Sequence, residues 1–317
     1  MVLIIIPCFV LTFEDDKMKN FDMTIRGVIN SLAIRFVYTE VTTAVTEAVL
    51  LHDTDPVASH ILGQGVINAA LLNPLLGEGE KYSLKWEYDG DINSVLIDVD
   101  FNNYIRGLPK NPYLMETSKN ENDLYGAGDG KTTVIKFSTS NAKVLNSGCV
   151  KAPLRDLGND LGFYFSTSDQ IESEFINIIG LQADVQQPVK IASGVMLQAL
   201  PDCDLIKFEA IRNKLHDDKV KMILQAADSS EKKLQAVLQY ITNLENKELD
   251  FGNNTVYSYS DQKPLFKCSC SEEKMGQALK TLSKRDLDEI FANNQMPRIK
   301  CEFCKKEYTF SREDLEG

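Results

Sequence analysis

The sequence predicts an α+β chain: a body of helices and antiparallel sheet, a helical linker region, and a small C-terminal domain organised by cysteines. Three observations carry this reading. Apolar residues recur at helical spacing across residues 39–72, the period shifts to two from Tyr82 onward, and four of the seven cysteines crowd into residues 268–304. The expected boundaries are an extension at 1–22, the α+β body at 23–202, the helical linker region at 203–262 and the C-terminal domain at 263–317.

At 317 residues the chain can bury a sizeable core and is long enough for two domains. The net charge of −12 is uneven. Residues 263–317 carry 11 Lys+Arg against 10 Asp+Glu, which leaves −13 to residues 1–262. An acidic body repels phosphate backbones, so nucleic acid is not an expected partner.

Taken in order, Val2–Phe13 is almost wholly apolar but is broken by Pro7 and Cys8. It is too short to span a bilayer, has no basic residues ahead of it, and is followed by Asp15-Asp16 where an export signal needs small residues. It reads as an upstream extension or a stray strand. No other stretch suits a bilayer, so the expectation is a cytoplasmic protein with no membrane partner.

Val41, Ala44, Val45, Ala48 and Val49 predict a helix over Thr39–Leu51, ending near His52. Ile61, Leu62, Val66, Ala69 and Ala70 predict a second over Ala58–Leu72. Tyr82–Tyr88 alternates as a strand should, and Gly90-Asp91 before Ser94–Asp100 predicts a hairpin. Lys131–Ser138 is a further strand, entered through Gly126-Ala-Gly128-Asp-Gly130. Helices come first in this reading and a largely antiparallel sheet after them. Beyond Pro201 helical spacing returns with Leu205, Phe208, Ile211 and Leu215. Ser230 then opens an amphipathic helix with Leu234, Val237, Leu238, Ile241 and Leu244 on one face. Gly252-Asn-Asn and Pro264 punctuate the junction with the C-terminal domain.

That domain holds Cys268-Ser-Cys270 and Cys301-Glu-Phe-Cys304, a C-x-C and a C-x-x-C separated by thirty residues. Four thiolates suit a closed tetrahedral Zn²⁺ site, because zinc accepts soft sulfur without geometric strain. The text between the pairs brings them together. Ser269 with Glu272 can form a capping box, Met275, Leu279 and Leu282 make one helical face, Ser283 can cap a second helix, and Arg298–Lys300 with Tyr308–Phe310 makes a hairpin. Cysteines this close in sequence can also pair with one another, so the same residues suit thiol–disulfide chemistry. An ordinary structural zinc ribbon is the rival reading, although C-x-C is tighter than its usual spacing.

Other candidates carry less. A glycine-rich phosphate cradle needs a helix after it, whereas Thr132–Phe137 reads as a strand. His52 and His60, with Asp53 and Asp55 between, are better explained as a helix end and a surface position than as a hydrolytic metal site. Cys149 and Cys203 read as half-buried hydrophobes. No catalytic triad order, Walker loop or paired catalytic carboxylates stand out, so an enzyme is not expected.

The cysteine pairs and their surroundings, Phe266-Lys-Cys-Ser-Cys-Ser, Ala278-Leu-Lys-Thr-Leu282 and Cys301-Glu-Phe-Cys304, resemble the family of the thirty-three-kilodalton heat-shock protein, redox-regulated holdase chaperones. Fainter likenesses run back to about Arg26: Ile105-Arg-Gly107 with Pro112, Leu124-Tyr-Gly126-x-Gly128-Asp-Gly130, Ser168-Asp-Gln170, and Gly194-Val-Met-Leu-Gln198-x-Leu-Pro201, where Ser193 replaces a glycine. Residues 1–22 have no counterpart. The resemblance implies one Zn²⁺ per chain in a reduced, inactive form. It implies oxidation to Cys268–Cys270 and Cys301–Cys304 disulfides with release of the metal, and an active holdase that forms a homodimer and binds unfolded clients. Loss of the metal should unfold the small domain and uncover the Leu234, Val237, Leu238, Ile241 and Leu244 stripe as a client-binding surface needing no ATP. Two other classes stay open: a zinc-ribbon nucleic-acid or regulatory module, and a thiol–disulfide oxidoreductase using Cys301 and Cys304.

Overall fold

The computed structural model describes residues 22–244, 255–259, 263–292, 296 and 298–316. The expected 1–22 extension, apart from Asp22, and the Gly252-Asn-Asn punctuation lie outside the described residues. The chain opens with two strands rather than a helix, β1 (Met23–Ile29) and β2 (Ile34–Glu40). The first helix, α1 (Thr42–His52), therefore starts three residues later than the spacing suggested. The aromatic and β-branched run through Thr39 stays extended. The Asp22 carboxylate then accepts from Thr43 N at 2.9 Å and Ala44 N at 2.7 Å, supplying the anionic cap that no local residue provides.

Helix α2 (Pro56–Leu72) starts as its sequence dictates, with Pro56 in the first turn and Asp55 Oδ1 accepting from Ala58 N at 2.8 Å. It is buried nearly all round because it runs between two sheets. One sheet contains β3 (Glu80–Glu87), β4 (Ser94–Asp100), β5 (Tyr104–Pro109), β6 (Gly130–Ser138) and β7 (Val144–Ala152). The short α3 (Glu121–Tyr125) precedes its glycine-rich turn, and α4 (Leu157–Tyr164) follows it. The other contains β1, β2, β8 (Ser173–Leu181) and β9 (Val189–Ala199), all antiparallel. The β3–β4 hairpin and the strand after the glycine-rich turn stand as the sequence predicted.

The glycine-rich turn works by close approach. Gly126 adopts φ +86°, and its backbone N lies where a Cβ on Gly90 would stand. That obstacle is backbone and cannot rotate away, so Gly90→Ala is expected to destabilise the body by about 1–3 kcal/mol. A denaturant midpoint equal to the parent's would refute this.

Beyond β9 lie α5 (Leu205–Leu215), α6 (Asp218–Gln225) and α7 (Ser230–Thr242). They cover the outer face of the sheet that contains β1 and β2. Alternation along β2 divides the core: Val37 faces the buried helices, whereas Ile34, Phe36 and Tyr38 face α5–α7. Besides β1, β2, β5 and β7–β9, two late strands are absent from the sequence reading, the first of them within the 203–262 region expected to be helical. Strand β10 (Thr255–Tyr259) pairs with β1 and completes the order β10-β1-β2-β9-β8, and β11 (Leu265–Phe266) runs parallel to β5 at the edge of the other sheet. The chain thus returns to both sheets of the body before it reaches the first cysteine pair.

Candidate metal centre

Strand β11 delivers Cys268. Leu265 N donates to Asn103 O at 3.0 Å and Lys267 N to Ile105 O at 2.7 Å, fixing the chain against β5 up to the residue before the cysteine. Cys270 follows, and then α8 (Glu272–Lys280). Its N-cap is Ser271, which accepts from Lys274 N at 3.2 Å, and not Ser269 as the spacing suggested. Ser269 instead lends its carbonyl to Lys274 Nζ at 2.8 Å. Helix α9 (Lys284–Phe291) is capped by Ser283 as expected. Strands β12 (Arg298–Lys300) and β13 (Glu307–Thr309) form the expected hairpin, whose turn carries Cys301 and Cys304. Cys301 N donates to Lys306 O at 2.9 Å, Lys305 N to Cys301 O at 2.7 Å, and Lys305 takes φ +58°. The C-x-x-C is a knuckle between strands, with no helix starting on it. A short α10 (Arg312–Glu316) closes the domain.

These elements converge four sulfurs. The Sγ atoms of Cys268, Cys270, Cys301 and Cys304 all lie within 4.8 Å of one another. Cys268 and Cys301 are 3.7 Å apart, and Cys270 and Cys304 3.3 Å. Sulfurs at about 2.3 Å from a tetrahedral zinc ion stand about 3.8 Å apart, so the four fit that ion. Among the described residues this is the one such group of potential ligands.

The electrostatics also call for a cation. Burial raises the Cys304 thiol, and its hydrogen bonds to Cys270 and Cys301 raise it further, to about 12. Burial acts the same way on Cys270, but hydrogen bonds from Tyr308 and the neighbouring thiols outweigh it and draw that group down to about 7. Cys270 ionises more readily while Cys268 and Cys304 are held back, and four thiolates need a positive charge among them. Tyr308 Oη, 3.1 Å from Cys270 Sγ, and Arg106 Nη1, 3.8 Å from Cys268 Sγ, are the outer partners.

Arg106 comes from β5 in the body. It pairs with Asp98 at 2.7 Å, and its guanidinium lies over the Phe303 ring, 4.2 Å from the centroid. His52 ends α1 as expected and is buried there, because β11 lays Phe266 edge-on to it at 6.4 Å. Burial, then the charge of Lys305, lowers its pKa to about 4. Arg106 and His52 are thus where the body grips the cysteine domain, and the sequence flagged neither role. Alternation in β5, which places an arginine between two inward residues, was the available signal. A cation–π contact contributes about 0.5–1 kcal/mol, so Arg106→Ala should speed peroxide oxidation of the reduced thiols roughly two- to fivefold. Timed thiol titration would read it, and an unchanged rate would refute it.

The remaining candidates separate from this centre. His60 is exposed, Asp55 caps α2, and Asp53 accepts from Tyr113, so the His/Asp stretch gathers no site. Cys203 is half-buried as expected, but Cys149 is exposed on β7. Leu234, Val237, Leu238 and Ile241 are buried and Leu244 half-buried, all packed on the outer sheet face in a cluster distinct from that around the cysteines.

No helix among the described residues is long and apolar enough to cross a membrane. A family model described as Hsp33 protein matches residues 22–311. The chain is similar to the 33 kDa chaperonin of Thermodesulfovibrio yellowstonii, 26% identical over 297 residues, covering 93% of this chain and 98% of that protein. It is likewise similar to the 33 kDa chaperonin of Clostridium perfringens, 27% identical over 300 residues, covering 93% and 90%. The crystal structure of the 33 kDa chaperonin (heat shock protein 33 homolog) of Thermotoga maritima superposes with a TM-score of 0.70 at 26% identity, covering 94% of this chain and 97% of that one.

Proposed function

The chain belongs to the Hsp33 protein family, a family of chaperones, and from that premise we propose that it is a redox-regulated, ATP-independent holdase that keeps unfolding proteins from aggregating. The observation that carries the redox half is the convergence of Cys268, Cys270, Cys301 and Cys304 within 4.8 Å. Zn²⁺ bound there, one per chain in the reduced form, would supply a cross-link between the two cysteine pairs and the positive charge that four thiolates require.

The chain's own residues do the rest. Under peroxide each cysteine pair gives up two electrons: an S–S bond forms, the O–O bond breaks, and two thiolates, two protons and peroxide yield a disulfide and two waters. Disulfide sulfurs are no longer thiolate ligands. Cys268–Cys270 and Cys301–Cys304 are the pairings that the family resemblance implies, and bonds within each motif would leave the halves free to separate. Bonds between motifs, which the 3.7 and 3.3 Å spacings would also permit, would staple the tail shut.

The coupling to α7 runs along the chain. Between Leu244 and Cys268 the chain contributes β10 to one sheet and β11 to the other, so release of residues 263–317 strips β11 from β5 and frees the segment that tethers α7. Leu234, Val237, Leu238, Ile241 and Leu244, with the sheet face beneath, then become the client-binding surface, and such a face also suits a homodimer of the oxidised form. The role is non-enzymatic and cytoplasmic in this reading, with 203–262 the moving linker and 263–317 the switch.

Zinc content and suppression of thermal aggregation, both measured before and after peroxide, test it. We expect one zinc and little suppression in the reduced chain, and metal loss with strong suppression after oxidation. Suppression indifferent to oxidation would reject it.

A further inference from the structure

Resting on the reading that α7 leaves the sheet, the way α7 is seated says what can replace it. The face it covers is lined by Ile25, Phe36, Tyr38, Val195 and Leu197, yet it is not uniformly apolar. Glu40, the last residue of β2, is 7% exposed there, and Lys233, one turn before Val237 on α7, is 5% exposed. Lys233 Nζ donates to Glu40 Oε1 at 2.7 Å, Tyr38 Oη donates to the same oxygen at 2.7 Å, and Ser230 Oγ donates to Oε2 at 2.6 Å. Two of these three donors leave with α7. Tyr38 alone stays behind, and it cannot neutralise a carboxylate.

We infer that this face is a docking groove for amphipathic helical segments of unfolding proteins that carry a lysine on their apolar stripe, with α7 as its built-in stand-in. Lys233, Val237 and Ile241 fall at steps of four, with Leu234 and Leu238 beside them. That pattern places a cation against Glu40 and branched apolar residues along the strands. A segment without the cation covers Glu40 and leaves its charge unpaired, and an acidic residue there repels it. The net −13 of residues 1–262 favours basic segments at longer range as well.

The test uses the full chain, reduced and peroxide-oxidised, at physiological ionic strength. Fluorescein-labelled peptides are followed by anisotropy: residues 229–244, the K233M and K233E versions, and a scramble of equal charge. Aggregation suppression is measured on the same samples. The parent peptide should bind the oxidised chain and not the reduced one, with K233M about tenfold weaker, equivalent to about 1.4 kcal/mol, and K233E and the scramble weaker still. An oxidised E40Q/K233M chain, which keeps an acceptor for Tyr38 and Ser230, should bind the parent and K233M peptides alike; if it still prefers the parent peptide, Glu40 does not read the lysine. If the oxidised parent chain suppresses aggregation yet binds all four peptides equally, the lysine preference is wrong while the holdase reading stands. If it neither suppresses aggregation nor binds any peptide, the holdase reading fails and takes the preference with it.

Discussion

Cys301→Ser is expected to unfold the C-terminal domain of the reduced protein while the body keeps its fold. Cys301 is the most buried of the four sulfurs, and the core around it is small: Leu279, Tyr308, Phe310 and Leu315 are its buried companions. Helix α9 has no buried residue at all. So little apolar burial cannot order some fifty residues unaided. A four-thiolate zinc site contributes on the order of 10–16 kcal/mol in small peptides, as much as whole domains possess in total. Removing one ligand opens the site and forfeits most of that. Hydrogen exchange should show residues 263–316 losing protection while α2, buried between the sheets, keeps it. Chelation of the reduced parent should give the same pattern, and Cys149→Ser, on an exposed strand position, should not. A Cys301→Ser chain that keeps its zinc and its protected tail would sink both this prediction and the switch.

The four-cysteine cluster was largely legible because cysteines announce themselves by type and spacing. C-x-C and C-x-x-C need only a helix pair and a hairpin between them, and the local signals for those elements, Ser283 and the Arg298–Lys300 run, were present in the text. The α7 stripe was legible for a similar reason, since period 3.6 over thirteen residues is hard to imitate. What sequence could not reveal depends on distant partners. Strand β11 has two residues, and it is a strand because β5 offers an unpaired edge. His52 is buried because Phe266, more than two hundred residues later, covers it. Arg106 reads as an ordinary strand cation until Cys268 and Phe303 arrive beside it. Lys233 did carry a faint signal, a lysine four residues before Val237 and eight before Ile241 on an apolar stripe. Its partner, Glu40, stands 193 residues away, beyond the reach of any periodicity.

That pair leads to the second large effect: Glu40→Ala should make the reduced protein an active holdase without oxidant. The four buried apolar residues of α7 contribute roughly 1.5–3 kcal/mol each, which the entropy of ordering the helix largely offsets, and the Lys233–Glu40 pair sits among them. Deleting the carboxylate leaves an ammonium buried without its counter-ion, which costs about 3–5 kcal/mol. Lys233 escapes that cost by carrying α7 into water, whereas the body has no comparable escape, since its own core lies on the far side of the sheet. The population of undocked α7 should therefore rise by roughly two to four orders of magnitude. Backbone exchange over residues 230–242 should accelerate by that factor while α2 stays protected, and the reduced variant should suppress aggregation before any peroxide is added. E40Q/K233M, which removes both charges, should return α7 to slow exchange and the reduced chain to silence. The comparison separates charge from shape. If Glu40→Ala leaves α7 exchanging as slowly as in the parent, the ion pair does not hold the helix down, and apolar packing alone sets the threshold for release.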